Sequence, residues 1–233
     1  MTSKPPPEPR VQGQKPVTAQ AGDVPLRETD QEIRRRLRLL MKAAIRRLDA
    51  ETQRTAARHL AAHLAHFIKA TSPGHLATYL PVRGEIDPNG FTAPESGIRA
   101  LPPRLYLPRL KDEGLEFVLW ETGTGFRTNR FGIPEPVTDN PIPPERLDAI
   151  LVPLRAFDPW GHRLGTGGGF YDRTLGRGLH PGPLRIGVAH DGQQVEAIPE
   201  APWDIRLDLV VTDRGWYRNG SFHSHWPGLE RTP

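Results

Sequence analysis

The sequence predicts an α/β protein: a mainly parallel sheet flanked by helices, with an N-terminal pair of helices and one small hairpin. Three observations predict it. Two stretches near the start carry apolar residues at helical spacing. Short apolar runs recur from residue 75 onward, several separated by segments long enough for a crossover helix. A glycine-rich segment, RLGTGGGFYDR at 163–173, follows shortly after one of those runs.

Residues 1–28 are rich in Pro, Gln and small polar residues without apolar periodicity, so they read as a disordered tail. From Asp30 a helix is expected, with Ile33, Leu37, Leu40, Met41, Ala44 and Leu48 on one face and arginines opposite. Asp49 suits the N-cap of a second helix, with Glu51 favoured in its first turn. Leu60, Leu64, Phe67 and Ile68 form its apolar stripe, and Ser72-Pro73-Gly74 ends it. Strands are expected at His75–Leu80, Leu105–Leu107, Glu116–Trp120, Ala149–Val152, Arg185–Ala189 and Asp208–Val211. Pro88–Ala100 and Phe170–Leu179 are long enough for crossover helices, and Thr122–Gly125 reads as the turn of a local hairpin. One domain is expected over 29–219, with a second tail at 220–233 anchored only by Trp226.

Composition narrows the function. The 233 residues contain no cysteine, which excludes disulfides, thiolate metal sites and a cysteine nucleophile and suits a reducing cytosol. MTSKPPPEPR is not a signal peptide, and no apolar run approaches ~20 residues, so no membrane partner is expected. The net charge of +4 is unevenly placed. Residues 30–70 hold 10 Lys+Arg against 4 Asp+Glu, whereas 71–233 hold 17 against 20. A nucleic-acid reader would spread positive charge more widely, so none is expected as a partner.

The chemistry gathers in three segments. Ile150–Pro153 leads through Ala156-Phe157-Asp158 into Arg163–Arg173, a loop placed beyond the carboxyl end of a strand. Gly165, Gly167, Gly168 and Gly169 let backbone N–H groups approach phosphate oxygens, and a helix opening near Phe170 adds its dipole. Arg163 supplies fixed charge and Asp172 a hard oxygen for Mg²⁺. The loop is neither a Walker A nor a dinucleotide fingerprint, and by itself a plain glycine turn remains open. The second segment, YLPVRGEID at 79–87, brings Glu85 and Asp87 to the same sheet edge, as ligands or as solvated loop acids. The third is YLPR at 106–109 with FGIPEP at 131–136, which local grounds favour as structural turns. His59 and His63 have metal-compatible spacing but no third ligand, so a solvated helix face is the better reading.

Together with LVPLRAFDPWGHRLGTGGGFYDRTL and WDIRLDLVVTD, these segments resemble the 5-formyltetrahydrofolate cyclo-ligase family over about residues 30–213. The motifs in this order are highly specific. The resemblance implies a Rossmann-like fold and Mg-ATP-driven closure of 5-formyltetrahydrofolate, free or polyglutamylated, to 5,10-methenyltetrahydrofolate in a cytoplasmic monomer. It implies ATP on Arg34 and on Arg163, Leu164, Gly165, Thr166, Gly167, Gly168, Gly169, Phe170 and Tyr171, with Arg163 and Tyr171 catalytic. It implies folate against Leu80, Glu85, Phe131 and Phe170, and Mg²⁺ on Asp172 and Asp208. Asp30 stands where the family commonly has Lys, with Arg35 and Arg36 nearby. Thr166 and Gly168 replace larger or basic residues of many members, and Trp203 stands where His is commoner. Two other readings are a paralogue that has left folate chemistry and a nucleic-acid binder with a degenerate enzyme body.

Overall fold

The computed structural model describes residues 28–82, 84–93, 102–176, 179 and 182–226. The tail expected at 1–28 lies outside them except for Glu28, which pairs with Arg36 at 3.0 Å.

Helix α1, Asp30–Arg46, starts at a capping box in which Thr29 and Glu32 satisfy each other's backbone N–H groups. Its inward face is rotated from the expected one. Leu37 and Met41 pack on Ala156, Leu164 and Ile198, and Ile45 is buried, while Leu40 is half exposed and Ala44 exposed. The reason is that α1 lies on a polar loop surface, where the long stem of Arg38 covers area that an apolar residue would otherwise fill. Helix α2, Ala50–Thr71, is capped by Asp49, whose carboxylate accepts from the Thr52 N–H at 2.7 Å. Its stripe of Leu60, Leu64, Phe67 and Ile68 is buried against the sheet as the periodicity predicts.

The sheet is built from β1 (His75–Ala77), β2 (Arg104–Lys111), β3 (Gly114–Leu119), β6 (Pro141–Ile142), β7 (Ala149–Pro153), β10 (Leu184–Ala189), β11 (Leu209–Thr212), β12 (Trp216–Arg218) and β13 (Ser221–His223). Two ribbons stand apart from it: β4 (Phe126–Thr128) with β5 (Pro134–Pro136), and β8 (Ala156–Phe157) with β9 (Arg163–Leu164). The sheet order is β13-β12-β11-β10-β7-β1-β2-β3-β6. Its centre, from β11 to β2, is parallel, and both edges are antiparallel. Leu151, Val152, Ile186 and Val188 are at most 1% exposed, as expected of strands covered on both faces.

Three expectations need correcting. Thr122–Gly125 closes a turn, with the Thr124 N–H on the Glu121 carbonyl, but the strands it joins do not pair with each other. The hairpins nearest this turn are β2–β3, turning at Asp112, and β4–β5, turning through Asn129–Ile133. The helix expected at Phe170–Leu179 is a single turn, α3 (Phe170–Thr174), and the described part of Pro88–Ala100 holds a 3₁₀ turn at Asn89–Thr92. The segment from Gly220 is not a tail throughout: β13 extends the sheet, and the Trp226 ring stacks on Trp216 at 4.7 Å. Among the described residues, no helix is long and apolar enough to cross a membrane.

Candidate functional site

The chain leaves β1 toward β2 on one side and returns as β7 on the other, so the loops after β1 and β7 diverge at their carboxyl ends. Such a switch point leaves a crevice that side chains do not fill. Here it holds a cleft of about 380 Å³ walled by Leu80 and Glu85 after β1, Leu107 and Leu110 of β2, and Arg155 after β7. The β4–β5 ribbon contributes Phe131 from its turn and Glu135 from β5, and the glycine loop contributes Arg163, Phe170, Tyr171 and Asp172.

The glycine loop is held open from below. Asp158, buried at 1%, accepts from the N–H groups of Trp160, His162 and Ile198 and thereby ties down the β8–β9 ribbon. Gly167 has φ +108 and Gly169 φ +67, backbone that L side chains rarely adopt. A Cβ on Gly165 or Gly167 would meet nothing within 4 Å, so this stretch faces open space. Because α3 is one short turn, its dipole is weaker than that of a full helix.

Electrostatics sort the predicted residues. The Arg163 guanidinium is buried, donating to the Ile205 carbonyl at 2.7 Å and to Asp172 at 2.9 Å. Burial raises the Tyr171 phenol well above its ordinary value; the Glu85 charge adds to this, and the Arg163 charge opposes it. Tyr171 therefore stays protonated at neutral pH, a hydrogen-bond donor and no base. Phe131 meets Phe170 edge-on at 5.7 Å, and Arg173 lies 5.1 Å over the Phe170 ring. The Glu85 carboxylate accepts from the Val82 N–H at 3.1 Å.

Leu80, Glu85, Phe131, Arg163, Gly165, Thr166, Gly168, Gly169, Phe170, Tyr171 and Asp172 are brought together around this cleft. Leu164 is fully buried beneath the loop, and Gly167 is on its exposed side. Arg34 and Asp208 are not brought there. Arg34 is spent on Asp204 and on the Pro199 carbonyl. Asp208 precedes β11, at the amino end of the parallel strands, where both its oxygens accept from Arg185. The acid that shares a charge network with Asp172 is Asp204, since the fields of both reach Arg38 and that of Arg163 reaches Asp204. Among the described residues no group of three His, Cys, Asp or Glu is placed to hold a metal, His59 and His63 included.

A second cavity, about 760 Å³, lies between α1 and the loop and is walled by Arg35, Arg38, Lys42, Arg46 and Arg155. Among the described residues no acid lines it, and it shares Arg155 and Thr166 with the apolar cleft. One chamber thus suits a flat ring system and the other a polyanion, with a common wall.

The family model for 5-formyltetrahydrofolate cyclo-ligases matches residues 27–213. The chain belongs to the 5-formyltetrahydrofolate cyclo-ligase family. The cyclo-ligase of Escherichia coli K12 is 37% identical over 172 residues, covering 72% of this chain and 93% of its own length. That of Haemophilus influenzae is 33% identical over 184 residues, covering 76% and 97%. The solved Aquifex aeolicus 5,10-methenyltetrahydrofolate synthetase superposes with a TM-score of 0.68 at 29% identity, over 84% of this chain and 98% of that one. The Mycoplasma pneumoniae synthetase, at 23% identity and a TM-score of 0.62 over 77% and 98%, shares the fold.

Within this cyclo-ligase frame, the sequence reading missed Arg38, Arg155, Glu135 and Asp204. Arg38 donates to the Gly165 carbonyl at 3.0 Å and takes the place beside the loop expected of Arg34. Glu135 is 9% exposed and accepts from the Leu110 N–H and the Asn129 amide, a buried acid in the cleft wall. Arg155 and Glu135 both lie inside motifs already singled out, LVPLRAFD and FGIPEP; what the sequence lacked was that both would line the cleft.

Proposed function

We propose that the chain converts 5-formyltetrahydrofolate to 5,10-methenyltetrahydrofolate at the expense of Mg-ATP. The observation that carries this reading is the pair of joined chambers, apolar with Glu85 on one side and cationic on the other. A formamide oxygen is a poor leaving group, so the reaction needs that oxygen phosphorylated beside a bound folate. The γ-phosphoryl passes to the formyl oxygen, N10 attacks the formyl carbon, and the oxygen departs as phosphate. Both reactants must meet at one point, and binding them across a common wall supplies that proximity.

The residues take distinct parts. Glu85 accepts N–H groups of the pterin, and Phe131 with Phe170 packs on its ring faces. Glycine-loop N–H groups, Arg38 and the lysine and arginines of α1 hold the phosphates. Tyr171, kept protonated, donates toward the reacting oxygen. For Mg²⁺ the donor set fits an ion that arrives on the nucleotide phosphates and keeps most of its water. Of the carboxylates lining the cleft, Asp172 is the one this reading assigns to the ion, and Asp204, being paired with Arg34, would act from behind.

The test is direct. Purified protein given 5-formyltetrahydrofolate and Mg-ATP develops the absorbance of methenyltetrahydrofolate only when ATP is present. A folded sample that shows no ATP-dependent signal overturns the proposal.

A further inference from the structure

The β4–β5 ribbon forms one side of the apolar cleft but stands outside the main sheet, so its place is fixed by side chains. The place it occupies lies along β2. β1 pairs with β2 only over residues 104–106, which leaves the following residues of β2 with an open edge on that side. Leu115, opposite Leu110 on β3, gives its N–H to Thr174, so this is a non-hydrogen-bonded pair and the Leu110 N–H faces the open edge. There Glu135 stands in for the missing strand: its Oε1 accepts from the Leu110 N–H at 2.9 Å. The same oxygen accepts from Asn129 Nδ2 at 2.7 Å. Asn129 Oδ1 in turn accepts from the N–H groups of Phe131 at 2.9 Å and Ile133 at 3.0 Å. One residue before Leu110, Arg109 is held by Glu116 at 2.7 Å and donates to the Pro136 and Thr138 carbonyls. Arg109 thus grips the base of the ribbon, and Glu135 with Asn129 grips its turn.

A turn asparagine commonly accepts from the N–H two residues on. What is particular here is the other end of the amide, which ties that turn through Glu135 to the wall of the cleft. Chemistry sets the orientation: the NH₂ must face the carboxylate and the oxygen the two N–H groups. Phe131, at the top of the turn, is 41% exposed, so packing constrains it less than a buried ring. Its ring meets Phe170 edge-on at 5.7 Å and lines the cleft. We propose that Asn129 and Glu135 are positioning residues for the folate: they fix the turn that sets Phe131 against Phe170. Neither touches the reacting atoms, so the pair governs how well the rings are held and leaves the phosphoryl step alone. This rests on the reading above that Phe131 packs on the folate.

The experiment measures kcat, KM for 5-formyltetrahydrofolate, KM for ATP and thermal midpoint in wild type, Asn129→Ala, Phe131→Ala and the double variant. Loss of the ring contact raises folate KM about tenfold in Phe131→Ala. Asn129→Ala raises it about five- to tenfold, while kcat and KM for ATP stay within about threefold. Because Asn129 acts through the ring, the double variant is no worse than Phe131→Ala, whereas independent effects would multiply. Multiplying effects, or a wild-type folate KM in Asn129→Ala, overturn the proposal. A merely structural role lowers the thermal midpoint and moves all three kinetic constants together, and that result overturns it too. If Asn129→Ala does not fold, Glu135 decides. Glu135→Ala raises folate KM about five- to tenfold, and Glu135→Gln, whose amide oxygen still accepts both N–H groups, recovers most of that. Equal losses in the two Glu135 variants, or none in Glu135→Ala, overturn the assignment. A wild type without ATP-dependent turnover removes the reaction and this role together; an active wild type with any of the contrary results removes this role alone.

Discussion

At the scale of single residues, the site uses its charges in pairs. Arg163 and Asp172, nine positions apart, meet at 2.9 Å, and the same Asp172 oxygen accepts from the Ile205 N–H at 3.1 Å. Asp172 is therefore both an acid lining the cleft and the partner of a buried guanidinium. Asp172→Asn keeps an acceptor for both N–H groups but removes the charge. Its cost in stability is about 1–3 kcal/mol, readable in urea, while turnover falls about 100-fold or more. Near-normal turnover in a folded Asp172→Asn would exclude it from the reaction. Motif order was enough to nominate Arg163, Tyr171 and Asp172. It could not tell which of them point at a ligand and which at one another, because partner choice depends on residues far along the chain, Ile205 among them.

At the scale of elements, α1 is docked by charge more than by apolar area. Arg34 reaches Asp204 across 170 positions, and Arg38 reaches the glycine loop. Burial works to raise the Asp204 carboxyl, but the Arg34 hydrogen bond, the Ala201 N–H and the charges of Arg34 and Arg163 outweigh it. The carboxyl therefore titrates below its ordinary 3.8. A lowered folded value means that the bond contributes fully above about pH 4 and is lost as pH falls through the folded value. Asp204→Asn should cost about 1.5–3 kcal/mol at pH 7, and the gap from wild type should narrow on acidification from pH 7 to pH 3. Urea midpoints at the two pH values measure it, and a gap that persists in acid would show another cause. This docking was invisible in the helical periodicity of α1, which counts apolar residues. Apolar counting also misplaced its inward face, assigning Leu40 and Ala44 to it and leaving out Ile45.

At the scale of the whole molecule, the last strands finish what the family-matched body leaves open. The match ends at residue 213, and β12 and β13 then pair along the outer edge of β11. An uncovered parallel edge would be an invitation to intermolecular pairing. Trp216, 7% exposed, is sandwiched by His223 at 4.1 Å and Trp226 at 4.7 Å, and Trp226 also meets Phe67 of α2. Trp216→Ala should lose about 3–5 kcal/mol in chemical denaturation without changing KM for either substrate, because this edge lies away from the cleft. A KM shift equal to that of a cleft variant would contradict this separation. Only Trp226 hinted at this arrangement in sequence, and as a single strong apolar anchor in a polar stretch it gave no partner.

What the sequence by itself determined was local or ordered along the chain. The Asp49 cap, the stripe of α2, the central strands and the succession of motifs depend on near neighbours, so periodicity and spacing carry them. The tertiary structure decided everything that requires two distant segments to meet. It spent Arg34 on Asp204 and Asp208 on Arg185, put Arg38 under the loop, and turned Arg155 into the wall between two chambers. The physical reason is that a long charged side chain reaches several residues' worth of space in any direction. Its target is chosen by the fold's packing and dielectric, and the sequence around it records neither.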